Sequence, residues 1–305
     1  MVKAESASRP RRFGSWVRSD LAVGPALIAP AVILVGVFVL WPIARAVYLT
    51  FFDYSFLADR SAFIGLTNYL EWARDPRMWH SLWISVKFFM LYVPTSMAIA
   101  LLIAVLIDRL ANAHFASIYR TIFYFPVVLP AAIVFQMWIW IYEPTLGFMT
   151  LTGEAVGADT SLNWLGEPRT ALGALAIMNV WRHLGETVIF FLIGLANIPK
   201  ENLEAARLDG ASEVKIVTRI IIPLLAPMIF LVFVLRLKVL ELVAEPLFMT
   251  QGGPIGSTMT YGLQAYELFH QEDRIGYANT WFVLMAGLAV AAAAFAGKRM
   301  RQFQN

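Results

Sequence analysis

Six apolar runs decide what this chain can fold into. They lie at roughly 21–48, 79–107, 119–142, 170–198, 217–247 and 276–297. A helix of about 20 apolar residues matches the hydrocarbon thickness of a bilayer. A helix also satisfies every backbone polar group within its own segment, where lipid offers no partners. A β-barrel would show alternating ten-residue segments instead. The expectation is an all-α, polytopic membrane protein with about six transmembrane helices. Charged residues make up only 15% of the chain, against about a quarter in a soluble domain.

The segment ends set the expected topology. The first run follows a basic tail (Lys3, Arg9, Arg11, Arg12, Arg18). It is too long for a signal-peptide core and lacks a small-residue cleavage site, so it reads as a retained helix. Fourteen Lys and Arg fall on the side of the termini and of the loops near 108–121 and 199–219, against five on the other side. That excess places both termini and the 199–219 loop in the cytoplasm. The division expected is a cytoplasmic tail over 1–20, a transmembrane domain over 21–297 and a second tail over 298–305. The outer loops, 53–77, 143–169 and 248–275, are the longer ones and carry turn signals such as Asp75-Pro76 and Gly252-Gly253-Pro254. Pro126 and Pro130, four apart, predict a kink in the third segment, and Pro223 with Pro227 a bend in the fifth.

Several ionisable groups fall inside the runs, where they are costly and mark function or pairing. The fourth run holds Arg182, His183 and Glu186; Arg182 and Glu186 are four apart, on one helical face. In the fifth, Lys238, Glu241 and Glu245 fall on one stripe at i, i+3 and i+7, and Arg236 points elsewhere. Two readings stay open: mutual ion pairing that fixes helix packing, or a polar wall for a hydrophilic solute. Gln136 and Trp181 join the second reading, the latter with Trp138 and Trp140 as stacking surfaces for sugar rings. With Lys87 included, four cations face three carboxylates, which leaves room for an acidic solute.

Other chemistry is excluded by what the sequence lacks. There is no cysteine, so no disulfide or thiolate site. No phosphate-binding G-x-x-x-x-G-K-[ST] loop occurs, no H-E-x-x-H and no G-x-S-x-G. The four His residues have no metal-ligand spacing. The chain is not expected to be an enzyme, to bind a cofactor or metal, or to bind nucleic acid.

The most informative polar stretch lies at 199–216, between the fourth and fifth runs. Pro199 suits a helix start, Glu201 and Glu204 favour its N-terminal end, and Gly210 suits a left-handed cap. A helix, a glycine turn and a second helix running back into the bilayer are expected. Glu204-Ala205-Ala206, then Asp209-Gly210-Ala211-Ser212, then Ile220 to Pro223 resemble the EAA motif of inner-membrane permease subunits of binding-protein-dependent ATP-binding-cassette importers. Smaller matches resemble the carbohydrate-uptake branch: Phe63 to Tyr69 with Asp75-Pro76, Arg120 with Phe125-Pro126, Pro144 with Gly147, Thr250 to Pro254, and Gly276-Tyr277-Ala278.

The resemblance implies the importer-permease core fold and a bacterial inner-membrane location. It implies a second homologous permease subunit, two ATPase subunits that use ATP and Mg, and an extracytoplasmic solute-binding protein. It also implies that Glu204, Ala205, Ala206, Asp209 and Gly210 couple to the ATPases. On this reading the chain forms half of a path for a sugar, oligosaccharide or sugar derivative, acidic and phosphorylated ones included. The competing reading is an ion-coupled secondary transporter that uses the intramembrane Glu, His and Arg residues.

Overall fold

A computed structural model describes residue 25 and residues 27–110, 112–155, 157 and 162–304. The basic tail over 1–20, the start of the first run and Asn305 lie outside the described residues. The architecture is all-α; among the described residues four helices are long and apolar enough to cross a membrane, and two bent pairs raise the candidate spans to six when each pair is counted as one crossing.

Helix α1, Leu27–Leu49, carries a π-helical turn at Gly36–Leu40 and buries none of its most apolar stretch. A two-stranded antiparallel hairpin follows, β1 (Phe52–Ser55) on β2 (Arg60–Phe63), then α2, Thr67–Arg74. Helix α3, Pro76–Asp108, is capped by the Asp75 carboxylate, which accepts from the Arg77 N–H at 2.8 Å. At 33 residues it is about 50 Å long.

The third run is broken. α4 (Ala113–Val128) and α5 (Ala131–Ile141) meet at 97°. Pro130 makes the break: a residue before proline is driven to extended backbone, and Leu129 has ψ 135°. Pro126 sits within α4. After the short α6, Phe148–Ala155, α7 runs unbroken over Ala171–Ala196 and α8 over Lys200–Leu208.

The fifth run is bent by 67° between α9 (Glu213–Leu224) and α10, which runs over Ala226–Arg236 and tightens to a 3₁₀ turn over Leu237–Glu241. Pro227 has no N–H to donate to the carbonyl four residues back, so the ladder opens where the bend lies. Two non-helical residues separate the 3₁₀ turn from α11, Ala244–Met249. The expected single helix over 217–247 is thus three pieces. Helix α12, Tyr261–His270, occupies the third outer loop, and α13 runs over Ile275–Gln304, through the residues expected to form the second tail.

Three apolar clusters hold these pieces. One joins α3, α5 and α7 around Phe88, Tyr92, Phe135 and Trp138. One lies at the α8 end, around Ile107, Phe191, Ile216 and Leu225. The third packs α12 on α13 through Tyr261 and Trp281, both fully buried.

The end opposite α8 is closed by polar bonds over long sequence separations. Asp273 accepts from the Ser55 hydroxyl and from the backbone N–H groups of Phe56 and Leu57, so it fixes the hairpin turn. These donors, the Ser55 hydroxyl foremost, hold its carboxyl below the usual carboxylate range. Arg274 grips Glu71 through two bonds of 2.7 and 2.6 Å. Burial pushes the Asp75 carboxyl up, but bonds from Arg77 and the Tyr277 hydroxyl outweigh it and bring it below its ordinary value.

Candidate functional site

A cavity of about 360 Å³ opens where the fifth run breaks. Helix α7 supplies Asn179, Arg182 and His183, which at i, i+3 and i+4 share one face. Helix α3 supplies Tyr92. The segment from Arg236 to Glu245 supplies the rest, with Arg236, Lys238, Glu241 and Glu245 all in the wall.

The backbone of that segment is held from behind. The Thr260 hydroxyl donates to the Leu242 carbonyl at 2.5 Å. Gly262 in α12 lies so close that a Cβ there would meet the Glu241 carbonyl oxygen at 2.4 Å. A side chain at 262 would therefore push the cavity wall inward.

The ion pairs cross between helices. Arg236 Nη2 donates to Glu186 Oε2 at 3.0 Å and to the Thr187 hydroxyl at 2.7 Å. Arg182 Nη1 lies 3.8 Å from Glu245 Oε1, with its guanidinium over the Phe135 ring. His183 Nδ1 is 3.8 Å from the same Glu186 carboxylate. So Arg182 and Glu186, neighbours on one face, each pair with the fifth run instead. This corrects the expectation that Arg236 points elsewhere. A 3.6-residue wheel assumes a uniform helix, whereas the chain tightens after Arg236 and breaks after Glu241. For the same reason Lys238, Glu241 and Glu245 do not form a stripe on one helix. Lys238 and Glu241, three apart, align on the 3₁₀ turn, and Glu245 joins them across the break. Among the described residues neither Lys238 nor Glu241 makes a salt bridge.

Three of the expected path residues, Gln136, Trp181 and Glu186, are not in the cavity lining, and Lys87 is outside it as well. Lys87 sits over the Trp83 ring at 5.2 Å, away from the cavity lining. Trp181 packs edge-on against Trp138 at 5.7 Å, and Gln136 is exposed on α5; neither lines the cavity. Tyr92 and Asn179, which do line it, carry no charge and gave no signal within runs read for charge alone.

Arg236 is 4% exposed, so its charge depends on Glu186. We predict that Glu186→Ala lowers the stability of the purified protein by about 3 kcal/mol, the low end for a broken buried pair because Glu186 is partly exposed. Glu186→Gln, which keeps an acceptor, loses less. Thermal unfolding in detergent checks both; equal, negligible shifts would contradict the pairing.

The second site is α8 and its turn. Gly210 has φ +74°. Its N–H donates to the Arg207 carbonyl at 3.0 Å, and the Ala211 N–H donates to the Ala206 carbonyl at 2.9 Å. Those two bonds and the left-handed glycine are a Schellman cap. The helix faces are distinct. Glu204, Ala205 and Asp209 are exposed, and Leu208 is 90% exposed. Leu203 and Ala206 turn inward onto the apolar cluster at this end. The alanine pair is thus split: Ala205 faces out and Ala206 packs on the chain's own core.

The family described as "Binding-protein-dependent transport system inner membrane component" matches residues 78–305. The chain belongs to this family. It is an inner-membrane, multi-pass permease subunit of the ATP-binding-cassette kind. A probable ABC transporter permease of Pyrococcus horikoshii is 31% identical over 86% of this permease and 91% of its own length. The sulfoquinovosyl glycerol transport system permease protein SmoG of Agrobacterium fabrum is 28% identical over 96% and 95%. A bacterial alginate ABC transporter, crystallised with its alginate-bound periplasmic protein, contains a chain with TM-score 0.81 at 20% identity, covering 96% of this permease and 98% of that chain. At that identity the likeness shows the shared permease fold.

Proposed function

We propose that this permease forms half of an ATP-driven path for a sugar, oligosaccharide or sugar derivative. The observation that carries the reading is the charged cavity at the break of the fifth run, continuous in sequence with the α8 turn. Two relatives with similar chains are named for sugar-containing solutes. Carboxylates, guanidinium groups and an ammonium around one cavity suit the donors and acceptors of a hydroxylated solute. Lys87 and Glu186 both lie outside the lining, so Arg182, Arg236 and Lys238 face Glu241 and Glu245 in the wall, and the cation surplus of one read from the sequence remains. Arg236 is matched by Glu186, Arg182 by Glu245, and Lys238 stands three residues from Glu241. With Arg236 and Arg182 each held in an ion pair, a surplus of one does not select an acidic over a neutral sugar.

The exposed face of α8, with Glu204, Ala205, Leu208, Asp209 and the Gly210 turn, is the contact for one of two ATPase subunits. Those subunits hold ATP and Mg. A second, homologous permease subunit completes the path, and a solute-binding protein docks at the opposite end. The Lys and Arg distribution supports a cytoplasmic position for α8 and both termini. When the ATPases close, α8 moves and the cavity switches the side to which it opens. The experiment that tests this reading is isolation of the tagged permease from its native membrane. Recovery with a second permease and ATPase subunits is expected; a chain recovered alone and transporting alone would overturn it.

A further inference from the structure

The geometry points to Glu213 as a positioning residue that locks the coupling helix to the cavity-lining helix α3. The inference rests on α8 being the ATPase contact. Glu213 is the first residue of α9, just past the Gly210 turn. One carboxylate oxygen accepts from Arg207 Nε at 3.3 Å, and Arg207 is in the last turn of α8. The other lies 2.6 Å from Arg109 Nη2, at the C-terminal cap of α3. One side chain therefore ties together α8, α9 and α3.

The tie matters because little else restrains α8. A nine-residue helix is marginal by itself. Its inward face offers only Leu203 and Ala206 to the core, and the glycine turn beside it is a natural pivot. Apolar packing of that size resists separation but resists sliding weakly, since it is non-directional. A carboxylate shared between two guanidinium groups adds direction. Helix α3 then runs from its Arg109 cap back to Tyr92 in the cavity wall, about 25 Å away, with Pro94 inside it two residues from Tyr92. With the bridge in place, a push on α8 is passed to α3 and along it toward Tyr92. Without it, α8 swings on Gly210 and the push is lost in the loop.

This chain has no native cysteine, so the two introduced sites are its only points of thiol labelling. Spin labels at Lys200→Cys on α8 and Asp108→Cys at the end of α3 report the separation of the two helices in the complete transporter, nucleotide-free and trapped with ATP and vanadate. The distance is expected to stay the same in both states. In Glu213→Ala a second, longer distance is expected to appear on trapping. The triple exchange Arg109→Glu, Arg207→Glu, Glu213→Arg rebuilds the bridge with reversed charges and is expected to restore the single distance. A native pair that separates on trapping, or a Glu213→Ala protein that keeps one distance, overturns the inference. So does loss of the ATPase subunits from Glu213→Ala, which would make Glu213 a docking contact instead. A native complex that does not trap with ATP and vanadate at all refutes the importer reading itself, a separate outcome.

Discussion

Gly210→Pro is expected to abolish solute uptake by the assembled transporter while the chain still inserts in the membrane. Proline fixes φ near −65°, and Gly210 sits at +74°. Proline also deletes the N–H that donates to the Arg207 carbonyl. Both halves of the cap fail together, at a cost of about 3 kcal/mol or more. The apolar helices do not depend on this turn, since their clusters lie elsewhere or on the inward face of α8. Glu204→Lys, which reverses an exposed charge on the outward face, is expected to give the same phenotype without disturbing the cap. The check is uptake together with recovery of ATPase subunits from solubilised membranes. If both variants keep docking and uptake, α8 does not couple.

In the cavity, Arg182→Ala and Glu241→Ala are expected to lower transport far more than Lys87→Ala. Arg182 pairs with Glu245, which is 7% exposed, so its removal leaves a buried carboxylate without its cation. Glu241 has no salt bridge among the described residues and faces the cavity, so it is free to accept from a solute hydroxyl. Loss of one such charge-assisted bond is worth about 1.5–3 kcal/mol, roughly ten- to a hundredfold in rate. Lys87 rests on Trp83 outside the lining and is expected to be neutral. Initial uptake rates of the three variants, at matched membrane abundance, decide it. Equal and small effects would return these charges to a packing role.

Much of this was legible in the sequence, and particular residues explain where legibility stopped. Apolar runs are read without knowledge of neighbours, because the bilayer sets their length and forces them to be helical. Pro130 and Pro227 could be read as bends because proline acts on its own backbone. Gly210 could be read as a cap for the same reason. Arg236 could not be placed, because its direction depends on where the helix tightens and breaks, which Thr260 and Gly262 influence from another element. The hairpin at Phe52–Phe63 was read only as an outer loop; its turn is fixed by Asp273, more than two hundred residues away. Glu213 carried no signal of its own in the sequence, because Arg109 and Arg207 converge on it only in three dimensions.

The central claim is that nucleotide hydrolysis by partner subunits, acting through α8, drives transport through the cavity. Proteoliposomes holding the intact complex, with the solute-binding protein outside and ATP inside, test it most directly. The account predicts uptake that requires internal ATP and persists when protonophore and sodium ionophore collapse the ion gradients. Uptake that ignores ATP and stops with the gradients would contradict it and assign Glu186, Glu241 and Glu245 to ion coupling.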